Sequence, residues 1–298
     1  MPNHTLFRLL IALAIVVSVH ANWALLVSAS RGYENYRHQA DVFASYHLLR
    51  HQGYPSDRII VMAYDDIASD PLNPFGSELY HQPSTCTVDT DIRKGVRIDY
   101  SGKDVTPAIF EAVLTGNKAA VAKVGTSRTV VSFPTENIFV YFTGVGGRGR
   151  LHFPSPAYTE FMSARKLVAM LERMRQKQRF SQLLFFLDAS YSESVFVGLK
   201  NSSRVLAVAS AQDHACPVYP SFPPHTENKI KGSYAGTFLS DDFSTSWLNY
   251  ALRTTSKEPI GELLSNISSR MKFGRAVVYG DMSLLGMEAG CFLYEGKE

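Results

Sequence analysis

Few residues in this chain could do covalent chemistry, and they fall in two short segments. Thr143-Gly144-Val145-Gly146-Gly147 and Asp188-Ala189-Ser190 each close an apolar run. Ser190 offers a hydroxyl next to an acidic residue. Such a hydroxyl is a weak nucleophile unless a base lies within hydrogen-bond reach. The nearest histidine in sequence is His152, beyond the first segment, and His214 follows a later apolar run. Whether either serves as a base is a question of geometry first. A lone Ser190 therefore reads as a turn residue or a relic rather than a nucleophile. No G-x-S-x-G elbow occurs, which rules out an α/β-hydrolase reading. Cys86, Cys216 and Cys291 form no C-x-x-C pair, so no structural zinc site is expected. Their odd number leaves at least one thiol free or paired between chains in an oxidising compartment.

The elements that must position these segments are strands and helices in alternation. Trp23–Ser28, Arg58–Ala63, Ile138–Thr143, Leu183–Leu187 and Val205–Ala209 are short continuous apolar runs. Runs of that kind suit parallel strands buried on both faces. Helical patterns lie between and after them. Tyr36–His51 carries Ala40, Phe43, Tyr46, Leu48 and Leu49. Thr106-Pro107 is an N-cap followed by proline at the first helical position, with a stop at Gly116. Ser163–Lys177 has the stripe Leu167, Met170, Leu171 and Met174, and Asp242–Arg253 carries Phe243, Trp247, Leu248 and Ala251. The pattern predicts an α/β fold with a mostly parallel sheet and helices on both faces. Asp70–Thr90 and Cys216–Lys231 read as long surface loops. Function in such sheets sits beyond the carboxyl ends of the strands, where both chemistry-bearing segments lie.

Composition narrows the class further. Of the 298 residues 45% are hydrophobic and 19% charged, which is ordinary globular usage. The net charge of +3 is spread along the chain rather than clustered, so no nucleic-acid partner is expected. Arg8, the apolar run Leu9–Val17 and Val19-His20-Ala21 read as a signal peptide over residues 1–21, cleaved before Asn22. That run is too short to span a bilayer, and no other segment is long and apolar enough, so no transmembrane helix is expected in the mature chain. Sequons at Asn201 and Asn266 fit luminal exposure and a glycoprotein. Residues 22–298 then form one domain.

Longer motifs carry a resemblance. Asn35-Tyr36-Arg37-His38-Gln39-Ala40-Asp41, Val61–Ala68 (VMAYDDIA), Asp104-Val105-Thr106-Pro107 and Ala112–Lys118 (AVLTGNK) resemble legumains. Leu183–Asp188 and Ala207–Gln212 (AVASAQ) look slightly more like the catalytic subunit of GPI-anchor transamidase. The resemblance runs from about Asn22 to about Tyr250 and implies a caspase-like fold. It also implies site residues. The family's catalytic His position is Val145 here, its nucleophilic Cys position is Ser190, and Asn35 matches the Asn that supports that His. Arg37, Asp188, Ser210 and Asp241 match substrate-pocket positions. An Arg beside two carboxylates can bind both ends of a carboxamide, and the same residues also suit a structural ion pair. Ser69 stands where transamidase subunits carry a bridging Cys. Arg97-Ile98-Asp99-Tyr100 replaces an acidic calcium motif, and Arg97 would repel a cation, so neither metal nor cofactor is expected.

Valine cannot move a proton. The implied function is therefore a catalytically inactive legumain-like or transamidase-like protein of the secretory pathway. Its expected partner is a peptide or protein with an Asn- or Asp-containing segment, with other transamidase-type subunits as further candidates. The alternative is an active asparaginyl hydrolase or transamidase subunit that uses Ser190 or carries engineered site changes. The expected locations are the endoplasmic reticulum lumen, the endolysosomal system or the exterior.

Overall fold

The computed structural model describes residues 22–81, 90–210, 213, 217–219 and 229–295. The expected leader, Cys86, His214, Cys216 and most of the Cys216–Lys231 loop lie outside the described residues. In chain order the first elements are β1 (Trp23–Ala29), α1 (Tyr36–His51), β2 (Ile59–Ala63), α2 (Pro107–Thr115) and β3 (Ile138–Gly144). Next come β4 (Gly146–Gly147), β5 (Arg150–His152), β6 (Phe161–Ser163), α3 (Ala164–Gln176) and β7 (Leu183–Ala189). Then follow α4 (Glu193–Phe196), β8 (Val205–Ala209), β9 (Pro217–Tyr219), β10 (Ser240–Asp241), α5 (Asp242–Ala251), α6 (Ile260–Arg270), β11 (Val277–Gly280) and α7 (Gly290–Leu293).

The main sheet has the order β11-β8-β7-β3-β1-β2, parallel throughout except for β11 against β8. Its inner strands are buried on both faces, which is why they read as unbroken apolar runs. Two separate cores flank the sheet. Leu26, Tyr141 and Phe186 pack with Phe43, Phe243 and Trp247 on the α1, α5 and α6 side. Leu25, Phe142 and Phe185 pack with Phe110, Leu167 and Phe196 on the other. Each such side chain contributes ~1.5–3 kcal/mol on burial.

Local signals place the helices. Thr106 Oγ1 accepts a hydrogen bond from the Ile109 N–H at 3.2 Å, and Gly116 closes α2 with φ 74°. Ser163 caps α3 through the Lys166 N–H at 3.3 Å. α1 is buried on almost every side and includes the polar His38, Gln39, Asp41 and Ser45. That is unusual for a surface helix and marks α1 as part of a site.

Two expectations need correction. β7 runs two residues past its apolar stretch, through Asp188 to Ala189, because it stays in register with β3 to Gly144. The segment after β3 is not a free turn: Gly146–Gly147 pairs with β5, and β5 with β6, in a small antiparallel sheet. His152 lies on that sheet, directly opposite Val145, whose carbonyl accepts the His152 N–H at 2.9 Å. No helix among the described residues is long and apolar enough to cross a membrane.

Candidate active site

The chain builds β2 on one side of β1 and β3 on the other, so a crevice opens at the carboxyl ends of β1 and β3. Gly144 pairs with Ala29 on one side and with Ala189 on the other. Val145 and Ser190 are thus the next residues along two adjacent parallel strands, and both are half-buried. The two backbones touch. A Cβ on Gly146 would sit 2.0 Å from the Ser190 carbonyl oxygen and 2.9 Å from its nitrogen. Only glycine fits there.

Beside these turns lies a buried polar pocket. Arg37, in the first turn of α1, donates from Nε to Asp241 Oδ1 at 2.8 Å and from a terminal nitrogen to the Glu34 carbonyl at 3.1 Å. His38 Nε2 lies 3.4 Å from Asp241 Oδ2, and its Nδ1 is 2.8 Å from Ser30 Oγ. Asp41 stands one helical turn on from Arg37. It accepts from Ser240 Oγ at 2.7 Å and from the Asp241 N–H at 3.2 Å, and shares a 2.7 Å hydrogen bond with His81 Nε2. Asp188, at the end of β7, accepts from Ser244 Oγ at 2.5 Å and its N–H at 3.1 Å. One oxygen from each of Asp41, Asp188 and Asp241 lies within 4.8 Å of the other two. That spacing could hold a cation, but Arg37 already supplies the local positive charge.

Burial governs the charges. It pushes the Asp188 carboxyl up to about 7, with the neighbouring Asp241 charge adding to the rise. Burial, then Asp241, hold Asp41 well above the carboxylate range. For Asp241 burial opposes ionisation, but Arg37 and His38 outweigh it and keep the group below its ordinary value. His38 is driven down to about 4 by burial and by Arg37, and His81 to about 3 by burial. At neutral pH the pocket therefore holds one guanidinium, the firm Asp241 carboxylate and an Asp188 near its midpoint, while burial disfavours the charged form of Asp41.

The pocket also holds unmet hydrogen-bonding capacity. The hydroxyls of Ser28 and Thr143, side by side at the strand ends, are buried without a hydrogen-bond partner among the described residues. Ser210, one residue past β8, is 4% exposed. Its hydroxyl favours the charged form of Asp188, yet makes no hydrogen bond of normal geometry among the described residues. Buried polar groups of this kind call for ordered water or a polar ligand.

The profile of the Peptidase C13 family matches residues 22–294. The chain belongs to that family. It is 31% identical to mouse legumain over 275 residues, covering 90% of this chain and 58% of the relative. It is 32% identical to the vacuolar-processing enzyme beta-isozyme of Arabidopsis thaliana over 286 residues, covering 93% and 57%. The vacuolar-processing enzyme of Citrus sinensis is 33% identical over 273 residues, covering 90% and 53%. The chain thus spans little more than half the length of these relatives. Its mostly parallel α/β sheet is the caspase-like fold expected of a C13 member.

Several residues of this C13 site have no simple signal in the sequence. Asp41 is the exception, four positions on from Arg37 in the same helix, so helical spacing points to it, whereas His38, one position on, is not reached by that rule. His81 and Ser244 reach the pocket from distant segments. Tyr158, on the β5–β6 connection, is the least foreseeable. Asn35 Nδ2 donates to the Arg31 carbonyl at 3.0 Å, to Tyr158 Oη at 3.1 Å and to Glu34 Oε1 at 3.3 Å. The Asn35 side chain is therefore directed at a tyrosine. Away from the site, Asp99 is saturated by protein donors: the Val61 N–H at 3.1 Å, Thr126 Oγ1 at 2.7 Å and Arg128 at 3.0 Å. Ser69 is exposed and donates to the Asp66 carbonyl at 3.3 Å.

Proposed function

We propose that this C13 member binds peptide or protein segments containing Asn or Asp and does not cut them. One observation carries the reading. A buried Arg–carboxylate pocket with unmet hydroxyls is intact, while the two adjoining strand ends present Val145 and Ser190. The guanidinium supplies donors for a carboxamide oxygen, and Asp188 accepts from the amide nitrogen. Val145 supplies no proton acceptor, and a hydroxyl is a poorer nucleophile than a thiolate. The chain acts after entering the secretory pathway and losing residues 1–21. Legumain and vacuolar-processing relatives favour an endolysosomal or vacuolar destination over simple secretion.

The test is binding of a fluorescent Asn peptide to the purified protein, with hydrolysis followed in the same sample. Saturable binding lost in Arg37→Ala, with no product, is the expected result. Binding unchanged in Arg37→Ala would sink the pocket assignment. A second reading, hydrolysis by Ser190 with His152 as base, has one observation in its favour. The bond between His152 Nδ1 and the Tyr158 carbonyl, at 2.6 Å, leaves Nε2 as an acceptor. Turnover abolished by both Ser190→Ala and His152→Ala would establish that reading in place of the first.

A further inference from the structure

The small sheet that carries the family's His position has two unlike faces. Gly146, Leu151 and Met162 share one face, and Leu151 and Met162 are fully buried. By strand alternation Val145, Gly147, Arg150, His152, Phe161 and Ser163 share the other. This outer face is not a plain solvated surface. Phe161 is 43% exposed. The Arg150 guanidinium lies 4.7 Å from the centre of its ring, and the His152 ring meets it edge-on at 6.1 Å. His152 is fixed in turn by the Tyr158 carbonyl. Arg150 has no carboxylate partner among the described residues.

Position ties this face to the pocket. Tyr158 holds His152 through its carbonyl and meets Asn35 through its hydroxyl at 3.1 Å, and Asn35 stands two residues before Arg37. A peptide lying across the strand ends would pass from one to the other. We propose that Arg150, His152 and Phe161 form a second subsite, which takes an acidic side chain next to the Asn of a bound peptide. The proposal rests on the peptide-binding reading above. Charge complementarity selects the occupant. A stacked guanidinium keeps its edge N–H groups for a carboxylate, in a planar, two-point contact that a lysine or an apolar residue cannot make. Stacking on Phe161 and the fixed imidazole hold the platform in order beforehand, so little freedom is lost on binding.

Three fluorescent peptides test it, each with one Asn flanked by Ala, Glu or Lys, measured by anisotropy against the whole mature chain. The Glu peptide should bind about fivefold tighter than the Ala peptide, the upper range for a partly exposed ion pair, and the Lys peptide weaker than both. Arg150→Ala should bring the Glu-to-Ala ratio close to one, and Arg150→Lys should restore part of it. Added salt should shrink the preference. Equal affinities for the three peptides in the unaltered protein would overturn the acidic subsite and leave the pocket reading standing. Binding of none of them would overturn the peptide-binding reading and the subsite with it.

Discussion

Asp188 shows how burial sets the chemistry of a single residue. Its carboxyl is raised from 3.8 to about 7, so folding takes up a proton across that interval. The associated stability is complete below about pH 4 and is lost as pH rises through about 7. His38 and His81 work the other way. Their ring pKa values are depressed, so their contribution is present above about 6.5 and lost on acidification towards about 4 and about 3. The whole-protein curve mixes these opposing slopes, and a difference measurement separates them. Asp188→Asn keeps an acceptor for the Ser244 N–H and removes the titration. Its stability relative to the parent should climb between about pH 4 and about pH 7, by at most ~1.4 kcal/mol per pH unit, and then level off. Urea unfolding at several pH values measures this. A difference that stays flat with pH would show that Asp188 titrates normally.

At the scale of elements, the register of β3 with β7 is what makes the site. It sets Val145 and Ser190 level, and the close approach of Gly146 to Ser190 keeps them so. Gly146→Ala would drive a methyl into backbone that cannot swing aside. It should destabilise the fold by about 2 kcal/mol or more and part the two turns, as thermal unfolding would record. The same register predicts that Val145→His with Ser190→Cys places an imidazole beside a thiol and lowers the thiol's pKa. Reaction with an Asn-directed electrophile should appear, and should vanish on adding Arg37→Ala. Tyr158 adds a condition. Its hydroxyl accepts from Asn35 Nδ2 and so pins the side chain of the residue that the family resemblance proposes as support for the new imidazole. Tyr158→Phe in the double variant should therefore speed labelling. A slower or unchanged rate would mean that Asn35 has no orienting role here.

At the scale of the whole molecule, a contact across 273 positions ties β1 to the segment after α7. The Asn22 N–H donates to Glu295 Oε1, and both residues are buried, at 5% and 8% exposure. Burial raises the Glu295 carboxyl, and the Asn22 N–H partly offsets that rise. Cleavage before Asn22 would turn this nitrogen into an ammonium and the contact into a buried ion pair joining β1 to the segment after α7. Acetylating the Asn22 amine of processed protein should then cost about 1.5–3 kcal/mol, the range for a charged hydrogen bond. Glu295→Gln should remove most of the difference between the two forms. Equal stability of acetylated and free protein would show that the Asn22 ammonium makes no stabilising ion pair with Glu295.

Much of this could be read from residues in a row. The apolar runs fixed the buried strands because a parallel sheet covered on both faces leaves no room for polar positions. Thr106, Pro107 and Gly116 fixed α2 because caps act within a few residues of the helix they end. The N-Y-R-H-Q-A-D motif carried Asn35 and Arg37 together because they flank the start of one helix. The composition of the two chemistry-bearing segments was equally plain: Val145 and Ser190 are readable as letters. Their level placement was not, nor was the extension of β7 through Asp188, because strand register is a property of pairs of strands. The remaining contacts join Asp188 to Ser244, His81 to Asp41 and Tyr158 to Asn35, across 56, 40 and 123 positions. No local pattern encodes a hydrogen bond over such distances. Only the closing of the fold brings those side chains together, and only burial inside it moves their proton affinities.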